Sequence, residues 1–304
     1  MPLTLPNPPA HARVSESRRG PRGKQTTASP QRRLPRYDAP PIIRLWHLAS
    51  FDAPSVALVW SLAFAWSVRV RLPTWVLALQ VLVVWAVYVG DRLLDARAGL
   101  RRWGNELRER HFYHWRHRRM LAPLAIAATC AAAAIVLRYM PTGTRERDSV
   151  LAAASLAYFT GVHTGSARRI FSKELLVGVL FTAGCALPAW SRGDWKLLAV
   201  PVIFFAALAW LNCRAIEAWE SHSPARIARL AGWIALAGIA LAGALAVHQP
   251  RSALLLAAGA ASTLLLAVLD RLRARLTTVT LRAAADLVLL TPAFLVAAAW
   301  LVRG

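Results

Sequence analysis

The chain has 304 residues, is 57% hydrophobic and carries a formal charge of +22, with a mean hydropathy of +0.41. Long runs rich in Leu, Ala and Val exclude an ordinary soluble globule and give the profile of a polytopic helical membrane protein. The charge first suggests nucleic acid, but the basic residues mostly flank the apolar runs, where membrane orientation accounts for them and no nucleic-acid partner is expected.

Residues 1–41 are rich in Pro, Ser and Arg and contain no apolar core, so they predict a disordered basic cytoplasmic tail and no cleavable signal. Arg18, Arg19, Arg22, Lys24, Arg32, Arg33 and Arg36 within it suit anionic headgroups, or serve only to orient a solvated tail. Ile42 to Ser50 reads as a short interfacial helix with Trp46 and His47 at headgroup depth.

Nine apolar segments follow, near 53–70, 73–93, 120–138, 148–165, 173–190, 197–219, 229–247, 253–270 and 283–301. Each approaches the roughly 20 residues that a helix needs to cross a bilayer, and lipid leaves helices as the natural way to satisfy the backbone. The expected fold is therefore all-α: a nine-transmembrane-helix bundle over residues 42–304 of a polytopic membrane protein. Placing the tail inside and alternating the loops puts 28 of the 37 Lys and Arg residues on the inner side and 9 outside. That excess predicts a cytoplasmic N-terminus in a bacterial-type inner membrane. Cys130, Cys185 and Cys213 all lie in apolar segments without metal-ligand spacing, and read as packed thiols.

The topology also brings two acidic helix ends to the inner side. The second segment ends in Val87-Tyr88-Val89-Gly90-Asp91-Arg92-Leu93-Leu94-Asp95, whose two carboxylates are one turn apart on one helix face. Acids so near hydrocarbon are costly, which marks Asp91 and Asp95 as functional candidates. Mg²⁺ prefers such oxygens, keeps several waters and bridges to substrate phosphates, so two carboxylates suffice for a share of one ion. The same acids could instead pair with Arg92, Arg97 or Arg101. The sixth segment ends with Asn212, Glu217 and Glu220, in which the two glutamates share a face and Asn212 precedes them by just over a turn. This reads as a second oxygen cluster or as an ordinary interfacial helix end.

Arg92, Arg168, Arg169 and Lys173 lie in or beside the inner loops, where they suit a diphosphate or simply set topology. Arg282 and Asp286, four apart, read as a structural pair. His111, His114 and His117 recur every three residues but drift around a helix and lie among five arginines, which disfavours a bound cation.

With Asp91-Arg92-Leu93-Leu94-Asp95 ending the second segment, the Asn212/Glu217/Glu220 cluster ending the sixth, and the basic run from Arg168 to Lys173 leading into the fifth, residues 45–304 resemble the UbiA superfamily of intramembrane prenyltransferases. Two departures stand out: the family's leading Asn and Asp fall on Val87 and Tyr88, and Cys213 stands one turn before Glu217 where an acid is expected. The resemblance implies Mg²⁺-dependent transfer of an isoprenoid group from a prenyl diphosphate to a lipophilic, typically aromatic, acceptor. Asp91 and Asp95 would hold one metal ion and be essential to catalysis, and Glu217 and Glu220 would hold the other. Tyr88, Arg92, Arg168, Arg169, Lys173 and Asn212 would meet the substrates. A non-catalytic scaffold or lipid-binding protein of the same architecture is the alternative that fewer carboxylates would favour. A transporter fits less well, because the acids gather at one surface rather than at the midplane.

Overall fold

A computed structural model describes residues 36–103, 109–164, 173–221 and 226–301, and these form part of one compact unit that begins at Pro35. All regular elements among them are helical. The expected tail over 1–35 lies outside the described residues. Its last residues do not: Tyr37 bridges Leu276 in parallel, and the Ala39 N–H donates to Thr280 Oγ1 at 2.7 Å.

The helices run in the order α1 (Pro41–Leu48), α2 (Asp52–Ser67), α3 (Thr74–Trp103), α4 (Glu109–Arg116), α5 (Arg118–Tyr139), α6 (Thr142–Thr164), α7 (Lys173–Trp190), α8 (Trp195–Glu220), α9 (Ile227–Leu245), α10 (Pro250–Leu272), α11 (Thr278–Leu287) and α12 (Ala293–Leu301). Each of the nine apolar segments falls on helix. Among the described residues, six stretches are long and apolar enough to cross a membrane: most of α3, α5, α8, α9, α10 with its extension, and the stretch from α11 through α12. A seventh is added if α1 and α2, bent by 87° at their junction, are taken together. The apolar part of α7 is shorter, at Glu174–Trp190, and α6 opens with Arg145, Glu146, Arg147 and Asp148. The chain is therefore an integral membrane protein by the length and composition of its helices.

Contacts between helix ends fix their directions. Arg92, late in α3, reaches Asp52 at the start of α2. Arg251, at the start of α10, donates to the Trp66 carbonyl near the end of α2. Ser252 at the start of α10 donates to Leu197 at the start of α8, and Trp219 near the end of α8 donates to Asp270 near the end of α10. Hence α3, α8 and α10 run parallel to one another and antiparallel to α2. Both acidic helix ends therefore emerge at one end of the bundle.

The core is built around α2. Trp60 stacks on Phe205 of α8 with centroids 3.8 Å apart, and Phe64 meets the same ring edge-on at 5.8 Å. Trp60 Nε1–H donates to the Leu289 carbonyl and Ser61 Oγ–H to the Cys185 carbonyl, so a polar atom on α2 ties each neighbour where water cannot. The backbones of α7 and α8 approach tightly at Gly178, where a Cβ would sit 2.9 Å from the Trp210 backbone nitrogen. Small residues permit such backbone contact between membrane helices. Gly178→Ala should accordingly destabilise the detergent-purified protein by about 1–3 kcal/mol, read as a lower unfolding temperature; Gly184→Ala on the same helix, with open space around it, should leave that temperature in place.

Candidate functional site

The site grows from the turn between α1 and α2. Ser50 there takes φ 63°, in the left-handed region that a side chain disfavours, at a cost of about 1–2 kcal/mol. Such strain persists only where the surroundings impose it, and here they do. Arg92 of α3, 6% exposed, inserts its guanidinium into the turn. Nη1–H donates to the His47 carbonyl and to Ser50 Oγ, each at 2.9 Å, and Nη2–H donates to Asp52 Oδ2 at 3.1 Å. Trp85 Nε1–H holds the turn from one side by donating to the Ala49 carbonyl.

Asp52 is 1% exposed. Its Oδ1 accepts the Ala53 N–H at 2.9 Å at the start of α2, where helix and carboxylate charges complement each other. His47 Nδ1 lies 2.7 Å from Asp52 Oδ2 and 3.9 Å from Asp286 Oδ2. Its Nε2 is buried without a hydrogen-bond partner among the described residues. Asp286, on α11, accepts from Asn212 Nδ2 of α8 at 3.0 Å, and Asn212 Oδ1 is likewise buried without a partner among the described residues. Five helices thus deliver two carboxylates, one imidazole, one amide and one guanidinium to a single cluster.

Among the described residues, His47, Asp52 and Asp286 are the one group of three His, Cys, Asp or Glu side chains whose ligand atoms all lie within 4.8 Å of one another. Chemistry argues against a cation there. Both Asp52 oxygens already accept hydrogen bonds, and a fixed guanidinium lies 3.1 Å from one of them. His47 Nδ1 instead faces the Asp52 carboxylate that Arg92 also engages, so one guanidinium and one imidazole are set against the two carboxylates.

Beside the cluster is a narrow cavity of about 40 Å³, bordered by Val56, Tyr88, Phe181, Asn212, Cys213 and Asp286 among others. Its wall is apolar except where these side chains meet it. Tyr88 enters from α3, one turn before Arg92, with its ring centre 5.9 Å from the guanidinium carbon. Asn212 and Cys213 enter from α8. Asp91 and Asp95 continue the Tyr88 face of α3 by one and two turns, and Glu217 and Glu220 continue the Cys213 face of α8 in the same way.

The expected ligands have separate settings. Asp91 is half-buried and Asp95 is 33% exposed, with His111 Nε2 at 3.9 Å. Glu217 is exposed, whereas Glu220 is buried in an ion pair with Arg282 of α11. Arg92 is turned inward onto Asp52 rather than toward the loops. Arg168 and Arg169 lie outside the described residues, and Lys173 is described only as the first residue of α7. In place of the Arg282–Asp286 pair expected from spacing, Arg282 pairs with Glu220, and Asp286 accepts from Asn212 and lies 3.9 Å from His47. His47, expected at headgroup depth, is instead 2% exposed inside the cluster. Asp52 was legible only as an acid opening an apolar helix, which on its own reads as a helix start.

One more residue completes the cluster. His114 of α4 is fully buried; its Nε2 faces Ser50 Oγ at 3.0 Å and its Nδ1 faces the Arg110 carbonyl at 2.8 Å. Because Ser50 Oγ accepts from Arg92, its own hydrogen is directed at Nε2. That requires a neutral ring protonated at Nδ1. Burial, with Arg92 close by, lowers the His114 pKa from its ordinary 6.5 to about 4. The unfolded chain therefore binds the extra proton first. Stability from this group is complete above pH 6.5 and is lost as pH falls toward 4, with a slope on the order of 1 kcal/mol per pH unit. Unfolding temperatures measured across that range should show the decline, and His114→Gln should flatten it.

No family model, curated protein or solved structure matches the chain, so the functional reading rests on its own residues.

Proposed function

We propose that the chain is an intramembrane prenyltransferase of the UbiA type. It would have nine spans, a cytoplasmic N-terminus and an inner-membrane location, and would transfer an isoprenoid group from a prenyl diphosphate to a lipophilic acceptor. One observation carries this reading. The parallel helices α3 and α8 contribute Tyr88, Asn212 and Cys213 to one cavity, and both acidic ends extend beyond it toward the same end of the bundle. The nine spans are α2 with its α1 elbow, α3, α5, α6, α7, α8, α9, α10, and α11 joined to α12.

The donor set suits Mg²⁺ in part. Asp91, Asp95 and Glu217 offer partly exposed carboxylate oxygens, the ligand type that a hydrated Mg²⁺ takes, and Asn212 adds a buried amide oxygen with no hydrogen bond among the described residues. Glu220 is the poorer ligand, because Arg282 already neutralises it. When bound, the ion would offset the charge that gathers on diphosphate as the allylic C–O bond breaks.

The chain's own groups do the rest. Arg92 positions α3 by locking it to the elbow, leaving Arg168, Arg169 and Lys173 as candidate diphosphate partners. The apolar cavity wall excludes water that would otherwise capture an allylic cation. Asp286 borders the cavity and is placed to receive the proton that an aromatic acceptor loses after the new C–C bond forms. Asn212 Nδ2–H orients its carboxylate. An isoprenoid needs several times the volume of this cavity, so substrate entry requires its walls to part.

The narrow cavity and the neutralised Glu220 favour one second reading, a non-catalytic membrane scaffold of the same architecture. Purified protein incubated with Mg²⁺ and prenyl diphosphates of several lengths decides between them. Turnover should release pyrophosphate and yield a prenylated product by mass analysis. Asp91→Asn and Asp95→Asn should each reduce pyrophosphate release on the order of 100-fold or more. Full turnover in both variants would sink the assignment, and wild-type protein that releases no pyrophosphate from any donor would establish the scaffold.

A further inference from the structure

A second concave surface lies away from the cavity, on the outer face of the α8–α9 corner. It is a groove of about 280 Å³ lined by Trp210, Arg214, Arg226, Arg229, Leu230 and Trp233, with Ile227 at its base. Its polarity is graded along the axes of α8 and α9. Arg226 and Arg229 open α9, and Arg214 stands six residues before the end of α8. Trp233 is seven residues past Arg226 on α9, and Trp210 is four before Arg214 on α8. With a rise of 1.5 Å per residue, the aromatic wall lies about 6–10 Å deeper than the guanidinium rim.

The rim is electrostatically uncompensated. Arg214, Arg226 and Arg229 are exposed, and among the described residues none makes an ion pair or side-chain hydrogen bond. Four arginines elsewhere in the bundle are paired: Arg92 with Asp52, Arg282 with Glu220, Arg273 with Asp270 and Arg44 with Glu109. No acidic residue lines the groove. Trp233, 65% exposed, lies on its apolar side, where an indole covers an acyl chain well. Three free guanidinium groups above an aromatic and aliphatic wall complement one molecule with an anionic phosphate head and a hydrocarbon tail.

We infer that the α8–α9 groove is a binding site for one anionic phospholipid, with its phosphate on Arg214, Arg226 and Arg229 and an acyl chain along Leu230, Trp233 and Trp210. Arginine matches the phosphate oxygens as a planar fork, which a purely topological cation would not need to do. The site requires no catalytic activity and stands apart from the proposed prenyl transfer.

Native mass spectrometry of the full chain released from detergent, titrated with phosphatidylglycerol or phosphatidylcholine of identical acyl chains, tests the inference. One phosphatidylglycerol should bind preferentially. Each of Arg226→Gln and Arg229→Gln should weaken that adduct by at least about fivefold, while Arg138→Gln and Arg145→Gln, far from the groove in sequence and on the other side in the proposed topology, should not. Trp233→Ala should weaken both lipids alike. Equal binding of the two lipids, undiminished phosphatidylglycerol selectivity in the doubly substituted Arg226→Gln/Arg229→Gln protein, or a groove that holds geranyl diphosphate to the exclusion of phosphatidylglycerol would each overturn the assignment. Pyrophosphate release by the wild-type protein is a separate readout, so loss of the lipid site and loss of the enzymatic reading remain distinguishable.

Discussion

A guanidinium buried among membrane helices must be surrounded by acceptors, because neither water nor lipid will serve it. Arg92 imposes that condition on this chain. The solution is local and specific: the backbone turns by 87° between α1 and α2, presenting the His47 carbonyl, the Ser50 hydroxyl and the Asp52 carboxylate to one fork of N–H groups. Ser50 bears a left-handed backbone in consequence. Hydrogen bonds to charged groups contribute about 1.5–3 kcal/mol each, so three of them offset that local strain. The arrangement joins the start of α2 to the second half of α3. Removing either charge would leave the other buried and alone, a larger penalty than the net value of the pair.

From this clasp the polar cluster spreads in two directions. Toward α4 it continues through Ser50 to the neutral His114 ring, whose second nitrogen is held by the Arg110 carbonyl. Toward α8 and α11 it continues through His47 to Asp286 and Asn212. Arg92 answers one carboxylate, and Asp286 is the other. Because Asp286 also borders the cavity, the charge balance of the cluster is coupled to whatever enters the space beside Tyr88 and Cys213. That coupling links the buried network to the cavity from which the two acidic helix ends extend.

How much of this was legible in the sequence depends on which force decided each feature. The helical segments were plain, since hydropathy over about 20 residues outweighs local propensity in a membrane chain. The shared end of the two acidic helices followed from the distribution of Lys and Arg, and the helix directions agree. The elbow was not legible. Nothing in Ala49-Ser50-Phe51 announces a left-handed turn, and Ser50 adopts it only because Arg92, 42 residues later, fills the concavity. The Arg282–Asp286 spacing gave the wrong partners for a related reason. Residues four apart share a face, but that face packs on α8, where Glu220 meets the outer residue and Asn212 the inner one. Tertiary partners across a buried interface outcompete a neighbour on the same helix. The three histidines show the same limit: their even spacing hid the fact that His114 alone points inward.

The surplus of cations over acids has a physical reading once the buried pairs are set aside. With 37 Lys and Arg against 15 Asp and Glu, most basic residues can have no acidic partner in the chain. The acids found inside the bundle go where an unpaired charge would be most costly: Asp52 to Arg92 and Glu220 to Arg282. Guanidinium groups near the ends of the apolar helices can draw the missing charge from an anionic membrane surface. At most positions that surface is diffuse, and a single exposed arginine serves only to orient the chain. At the α8–α9 corner three such groups converge above a shaped apolar wall. There the same rule that forces partners on the buried arginines makes a discrete anionic partner the natural completion of the fold.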